Sequence, residues 1–101
     1  MNNQRNKVLA DAVQTWGRDA QSLMMIEEMS ELTKAICKFY RTQDDSSAAV
    51  AIEGIREEMA DVQIMLDQMK IIFGSPEEHE RKKLDRLRRR LEAAHERSGK
   101  E

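Results

Sequence analysis

The stretch IEEMSEL, residues 26–32, decides how this chain is read. It is an apolar run interrupted by Glu27, Glu28 and Glu31. Thirty residues later the chain reads REEMADV, residues 56–62, and the arrangement returns: two Glu, a Met, a small residue, an acid, a branched aliphatic. The match extends beyond these stretches. Met25 aligns with Ile55, Met29 with Met59, Leu32 with Val62 and Ile36 with Leu66. Two copies at a fixed offset are a helix-level duplication, too few for a solenoid. Two similar helices joined by a short loop make an antiparallel hairpin with approximate two-fold symmetry.

The rest of the chain agrees with helices. Charged residues make up 36% and hydrophobic residues 40%, with only four Gly and one Pro. All-β folds need more turn chemistry than this, and good helix formers dominate. The expected fold is all-α, a helical hairpin within a four-helix bundle-like domain spanning 1–101. A 101-residue chain buries a modest core, so completion by oligomerisation is expected, as a homodimer or homotetramer. The net charge of −2 argues against a polycationic nucleic-acid binder. One cysteine, Cys37, excludes an internal disulfide framework and is read as packing. No apolar run is long enough to cross a membrane, so a cytoplasmic protein is expected.

Local signals place the elements. A first helix is expected over about 3–15, ended by Gly17. Asp19 opens the next, which runs to about Arg41. TQDDSS, 42–47, reads as a loop, and a third helix covers about 48–73. Gly74-Ser75-Pro76 stops it. Ser75 as N-cap, Pro76 at N1 and Glu78 at N3 then open a last helix running to about Glu96. Frayed ends are expected at about 1–3 and 97–101. The last helix carries an amphipathic stripe of Leu84, Leu87, Leu91 and Ala94, which suits docking on its own hairpin or on a second subunit.

Each residue advances about 100° around a helix. Met25, Met29, Leu32, Ile36 and Phe39 form one apolar stripe. Ile55, Met59, Val62, Leu66, Met69 and Phe73 form its counterpart. Glu27 and Glu57 face away from the stripes. Glu28 lies about 60° and Glu31 about 120° from the stripe centre, and Glu58 and Asp61 occupy the same angles. Packing the stripes together therefore draws four carboxylates towards one place. Four anions in a partly dry site repel unless they are protonated or bound to cations. The plainer reading is a bundle rim paired with Lys and Arg. It suits one E-x-x-E better than a duplicated pair. No His follows either Glu at the spacing of di-iron carboxylate bundles, and His79 and His95 are expected to be solvated. Oxygen-only ligation suits Mg²⁺ or Mn²⁺.

EEMSEL followed by EEMADV resembles the MazG-like all-α nucleoside triphosphate pyrophosphohydrolase superfamily, whose motif is E-x-x-E, a spacer, then E-x-x-D. Glu28-x-x-Glu31 and Glu58-x-x-Asp61 match it with 26 residues between. WGRDAQSLMMIEEMSEL and KKLDRLRRRLE also resemble flanks of small members, so the likeness covers about 13–92. It implies Mg²⁺-dependent hydrolysis of a nucleoside triphosphate to the monophosphate and pyrophosphate, with Glu28, Glu31, Glu58 and Asp61 as the catalytic and metal-binding acids.

Three further residues are candidate substrate contacts. Gln21 lies two turns before Glu28 on nearly the same edge, where its amide suits a base or sugar edge as well as a surface role. Trp16, the only Trp, suits base stacking or core packing. Lys38 follows Glu31 along the same edge and suits phosphate contact or a helix-end cap. Gln68 holds the corresponding place after Asp61. Two other functions compete with the enzyme: a non-catalytic helical dimerisation or interaction module, and a nucleic-acid-binding bundle using the basic last helix.

Overall fold

The computed structural model describes residues 3–99. Three helices follow one another: α1, Asn3–Tyr40; α2, Asp45–Phe73; and α3, Glu77–Gly99. The expectations for residues 1, 2, 100 and 101 lie outside the described residues. The all-α class and the hairpin of two long helices are as the sequence implied, and no described helix is long and apolar enough to cross a membrane.

α1 is two helical segments meeting at Gly17, whose φ of 88° and ψ of 167° fall where a Cβ is strongly disfavoured. The segment after Gly17 runs antiparallel to α2. The segment before it packs on the outer side of α2, where Leu9 is buried and Arg5 bonds Asp67 at 2.7 Å. Asp19, expected as a cap, accepts from the adjacent Arg18.

The α1–α2 turn is shorter than the expected loop over 42–47. α2 begins at Asp45 because Asp44, in an extended conformation, accepts from the Ser47 backbone N–H at 2.7 Å. Ser47 Oγ donates to the other Asp44 oxygen. This cap satisfies amides that the first turn leaves open. At the other end Gly74, with φ 101°, donates its N–H to Lys70 O. Ser75 Oγ then accepts from Glu77 N. Glu78 binds Arg81 instead of closing a capping box. α3 continues past Glu96 to Gly99.

α3 does not pack on the hairpin. The docking of its leucine stripe on its own chain is therefore not found, and all three leucines are exposed. Pairs along its surface support it instead: Arg81 with Glu78, Arg88 with Asp85 and Glu92, and Arg89 with Asp85. The radius of gyration is 18.2 Å, against about 13 Å for a compact domain of this length.

The interhelical seam also departs from the expected stripes. On α1 the inward positions are Gln21, Met25, Glu28, Leu32, Ala35 and Phe39. On α2 they are Ala51, Ile55, Glu58, Val62, Met65, Met69 and Ile72, with Gln68 buried beside them. Both series alternate steps of three and four, the coiled-coil spacing. Met29, Ile36, Met59, Leu66 and Phe73, expected inside, are exposed. The apolar stripes are real, but they straddle the boundary between the seam and an open face. Cys37, expected to pack, is exposed as well.

The Arg5–Asp67 pair ties the first segment to α2, and the hydrogen bond from Arg5 chiefly lowers the Asp67 pKa. A depressed carboxylate contributes stability above its unfolded pKa and loses it as pH falls through the folded value. Asp67→Asn should cost about 1 kcal/mol at pH 7. The gap to the parent chain should close below about pH 4 in urea titrations. An equal gap at pH 7 and pH 3 would show that the ion pair is not its source.

Candidate acidic metal centre

The hairpin register places the candidate residues. The pairing that sets Gln21 beside Gln68 also sets Glu28 against Asp61, about two turns on, and Glu31 against Glu58, nearly three turns on, because the antiparallel helices advance together. Gln21 Nε2 donates to Gln68 Oε1 at 2.6 Å, and Gln68 is 3% exposed. This buried amide pair fixes the alignment of the two helices at the end nearer Gly17.

Glu28, Glu58 and Asp61 each offer a carboxylate oxygen within 4.8 Å of the others. Glu28 and Glu58 are half-buried, since they occupy seam positions. Burial raises the Glu28 pKa, and the charges of Asp61, Glu58, Glu27 and Glu31 raise it further. Glu58 is raised by burial and then by Asp61, Glu31 and Glu57. Glu31 stands at the edge of this cluster and pairs with Lys34 at 3.5 Å. Three of the four motif acids thus converge, and the fourth is close enough to be felt electrostatically. No cation of the protein is paired with Glu28, Glu58 or Asp61 among the described ion pairs.

The donor set fits a hard divalent cation. Adjacent oxygens around Mg²⁺ lie about 3 Å apart and opposite ones about 4 Å, so small side-chain rotations would bring the three oxygens into one shell. Carboxylates also suit Mn²⁺.

Two clefts flank the cluster. Towards Gly17, an apolar pocket of about 460 Å³ is lined by Trp16, Ala20, Gln21, Met24, Met65 and Gln68. Trp16 is 64% exposed at its mouth, so it is not a core residue. Gln21 and Gln68 each lie two turns from a cluster acid along the same edge. Towards the α1–α2 turn, an open cleft of about 670 Å³ is lined in part by Lys38, Arg56 and Glu57. Gln21 and Trp16 therefore share the pocket on one side of the acids, and Lys38 lines the cleft on the other. Sequence reasoning did not single out Met24, Met65 or Arg56. Met65 and Met24 line the pocket because each follows the same helix edge as its neighbouring Gln, a periodicity visible in the sequence.

Comparison of the chain with protein-family models, with curated proteins and with solved structures finds no match.

A raised carboxylate weakens the folded state once it ionises. The penalty is absent below the unfolded pKa, where both states are protonated, and complete above the folded one. Glu28→Gln should therefore raise the melting temperature at pH 7 without divalent cations, and the gain should vanish by about pH 3. The same substitution should reduce any stabilisation by millimolar Mg²⁺. Calorimetry at both pH values reads each effect. A lower melting temperature at pH 7 would mean that Glu28 is not under repulsion.

Proposed function

We propose that this chain is a Mg²⁺-dependent nucleoside triphosphate pyrophosphohydrolase of the MazG-like kind, working as a homodimer or homotetramer. The observation that carries the reading is the approach of carboxylate oxygens of Glu28, Glu58 and Asp61 to within 4.8 Å of one another, with none of the three in an ion pair among the described residues. Such a cluster is electrostatically costly unless something positive shares it.

The surroundings suit a nucleotide. The apolar pocket beside the acids offers Trp16 for stacking and the Gln21–Gln68 amides for a polar base edge. On the far side of the acids a cleft is lined by Lys38 and by Arg56, the latter paired with Glu53; Lys38 is the cation there best suited to phosphate oxygens. Base, α-phosphate and terminal phosphates can thus lie along one edge of the hairpin, with the α-phosphate at the acids.

Glu28, Glu58 and Asp61 would hold the cation, with Mn²⁺ as a substitute. The cation would supply neutralisation of phosphate charge and polarisation of the α-phosphoryl group. Glu31, outside the tight cluster and paired with Lys34 through one oxygen, would orient a water or accept its proton with the other. In the reaction, the water oxygen bonds to the α-phosphorus. The bond from that phosphorus to the bridging oxygen breaks, and pyrophosphate leaves with the bridging oxygen. A panel of ribo- and deoxyribonucleoside triphosphates with Mg²⁺, scored for pyrophosphate, tests the activity.

In oxygen-18 water the label should enter the monophosphate and not pyrophosphate. Orthophosphate as first product, or label in pyrophosphate, would break the assignment. Glu58→Gln and Asp61→Asn should each lower turnover about 100-fold or more, with helicity unchanged by circular dichroism. The outward Glu27→Gln should change it little. Parent-like turnover in folded Asp61→Asn would remove that acid from the site.

A further inference from the structure

The last helix carries a surface for which nucleotide hydrolysis has no use. At about 100° per residue, α3 divides into three sectors. Leu84, Leu87, Leu91 and Ala94 fall within about 80° of one another. A second sector holds Glu78, Asp85, Glu92 and Glu96, and Arg81, Arg88 and Arg89 pair with the first three of these acids. The third sector, about 100° wide, holds Lys82, Lys83, Arg86, Arg90 and Arg97 and no acid. The chain's net charge of −2 masks this, because α3 alone carries eight of its 17 Lys and Arg.

All five cations are exposed. None is in an ion pair among the described residues. Their placement denies them one. Arg86 has Lys82 and Lys83 one turn before it and Arg89 and Arg90 one turn after, so each of its neighbours along the helix is a cation. Arg90 has Arg86 and Leu87 on one side and Ala93 and Ala94 on the other. No acid arrives from elsewhere, since α3 does not pack on the hairpin. Like charges at these spacings destabilise a helix. The acids that would relieve them are held by the neighbouring sector.

We propose that this sector binds the phosphate backbone of a double-stranded nucleic acid without reading its sequence. Lys82, Arg86 and Arg90 are spaced at about 6 Å along the axis, and Arg97 extends the row to about 22 Å. A regular row of cations suits a ligand whose anions also repeat. A duplex carries one negative charge per about 1.7 Å of its axis and releases counterions as phosphates are neutralised. The other sectors decide the mode. A helix sunk in the major groove meets phosphates on both walls, and here the acidic sector would face one of them. The contact therefore runs along one strand's backbone, which carries no sequence information. α3 has no Phe, Tyr or Trp on which the bases of a single strand would stack. A membrane surface fits less well. The leucines span about 10 Å, half the length of the cation row, and Glu80 stands within their stripe. The flank of that stripe away from the cations carries Glu77, Asp85 and Glu92, which anionic lipid would repel.

Fluorescence anisotropy of a labelled DNA duplex of about 20 base pairs, titrated with the full chain, tests the proposal. EDTA in the buffer keeps the outcome separate from that of the hydrolysis proposal. Binding should weaken steeply with KCl, with a log–log slope of about −4 for five phosphate contacts. A duplex of unrelated sequence should bind within about threefold. Arg86→Gln with Arg90→Gln should reduce the slope by about 2 and weaken binding about 10-fold or more at low salt. Helicity by circular dichroism should hold or rise in that variant, because Gln is a good helix former and the repulsion is gone. Arg81→Gln with Arg88→Gln removes as much charge from the ion-paired sector and should change the slope by less than half as much. An equal loss in that control would show that net charge alone matters and would overturn the proposal. So would no binding at about 100 μM chain in low salt, or a sequence preference of about 100-fold. Tighter retention on phosphatidylglycerol vesicles than on the duplex would make a membrane the occupant and overturn it as well.

Discussion

Two carboxylates, Glu28 and Glu58, occupy seam positions that a helical hairpin ordinarily gives to aliphatic side chains. Everything else in this molecule adjusts to that constraint. A seam residue cannot turn fully to solvent, so burial and neighbouring acids together raise both pKa values. The hairpin must be held by other contacts. Met25 and Leu32 flank Glu28 on its own helix, and Ile55 and Val62 flank Glu58 on the other. Further along, the Gln21–Gln68 hydrogen bond fixes the register. A slip of either helix by one residue would separate these amides and scatter the acids together. Stability and the geometry of the acidic centre therefore depend on the same alignment.

The sequence disclosed much of this because its signals are local. Gly17, Gly74 and Pro76 mark breaks through backbone geometry that needs no tertiary context. The duplicated acids were legible for a similar reason, since residues three apart on a helix share an edge wherever the helix packs. The start of α2 was less legible. Asp44 and Asp45 resemble loop residues, and only the step from Asp44 to Ser47 reveals the cap. The position of the seam was misjudged for a different reason. A helical wheel finds the centre of the apolar residues, and here that centre lies between two packing faces. Met29 and Met59 lie on the stripe yet outside the seam, while Glu28 and Glu58 lie off it yet inside. Which face meets the partner helix is settled jointly by two helices and their turn. The isolation of α3 was not readable at all, because Leu84, Leu87 and Leu91 look the same on a docked helix and on an undocked one.

The same offset explains how one duplicated helix serves two purposes. Near two-fold symmetry sends whatever lies clockwise of the seam on α1 to the same side of the hairpin as its counterpart on α2. Acids on one edge of the repeated helix therefore meet across the hairpin, and apolar residues on the other edge spread into one continuous face. Neither arrangement needs a special loop or a second motif. It needs only the repeat, the antiparallel turn capped by Asp44, and a seam that passes between the two edges. The acids must lie close enough to that seam to converge, which is why Glu28 and Glu58 intrude on it. The hydrophobic contacts they displace are missing from the hairpin's interior, and the apolar residues that would supply them stand one position away, on the open face. A centre of this kind and an uncovered apolar surface are two consequences of one choice of register.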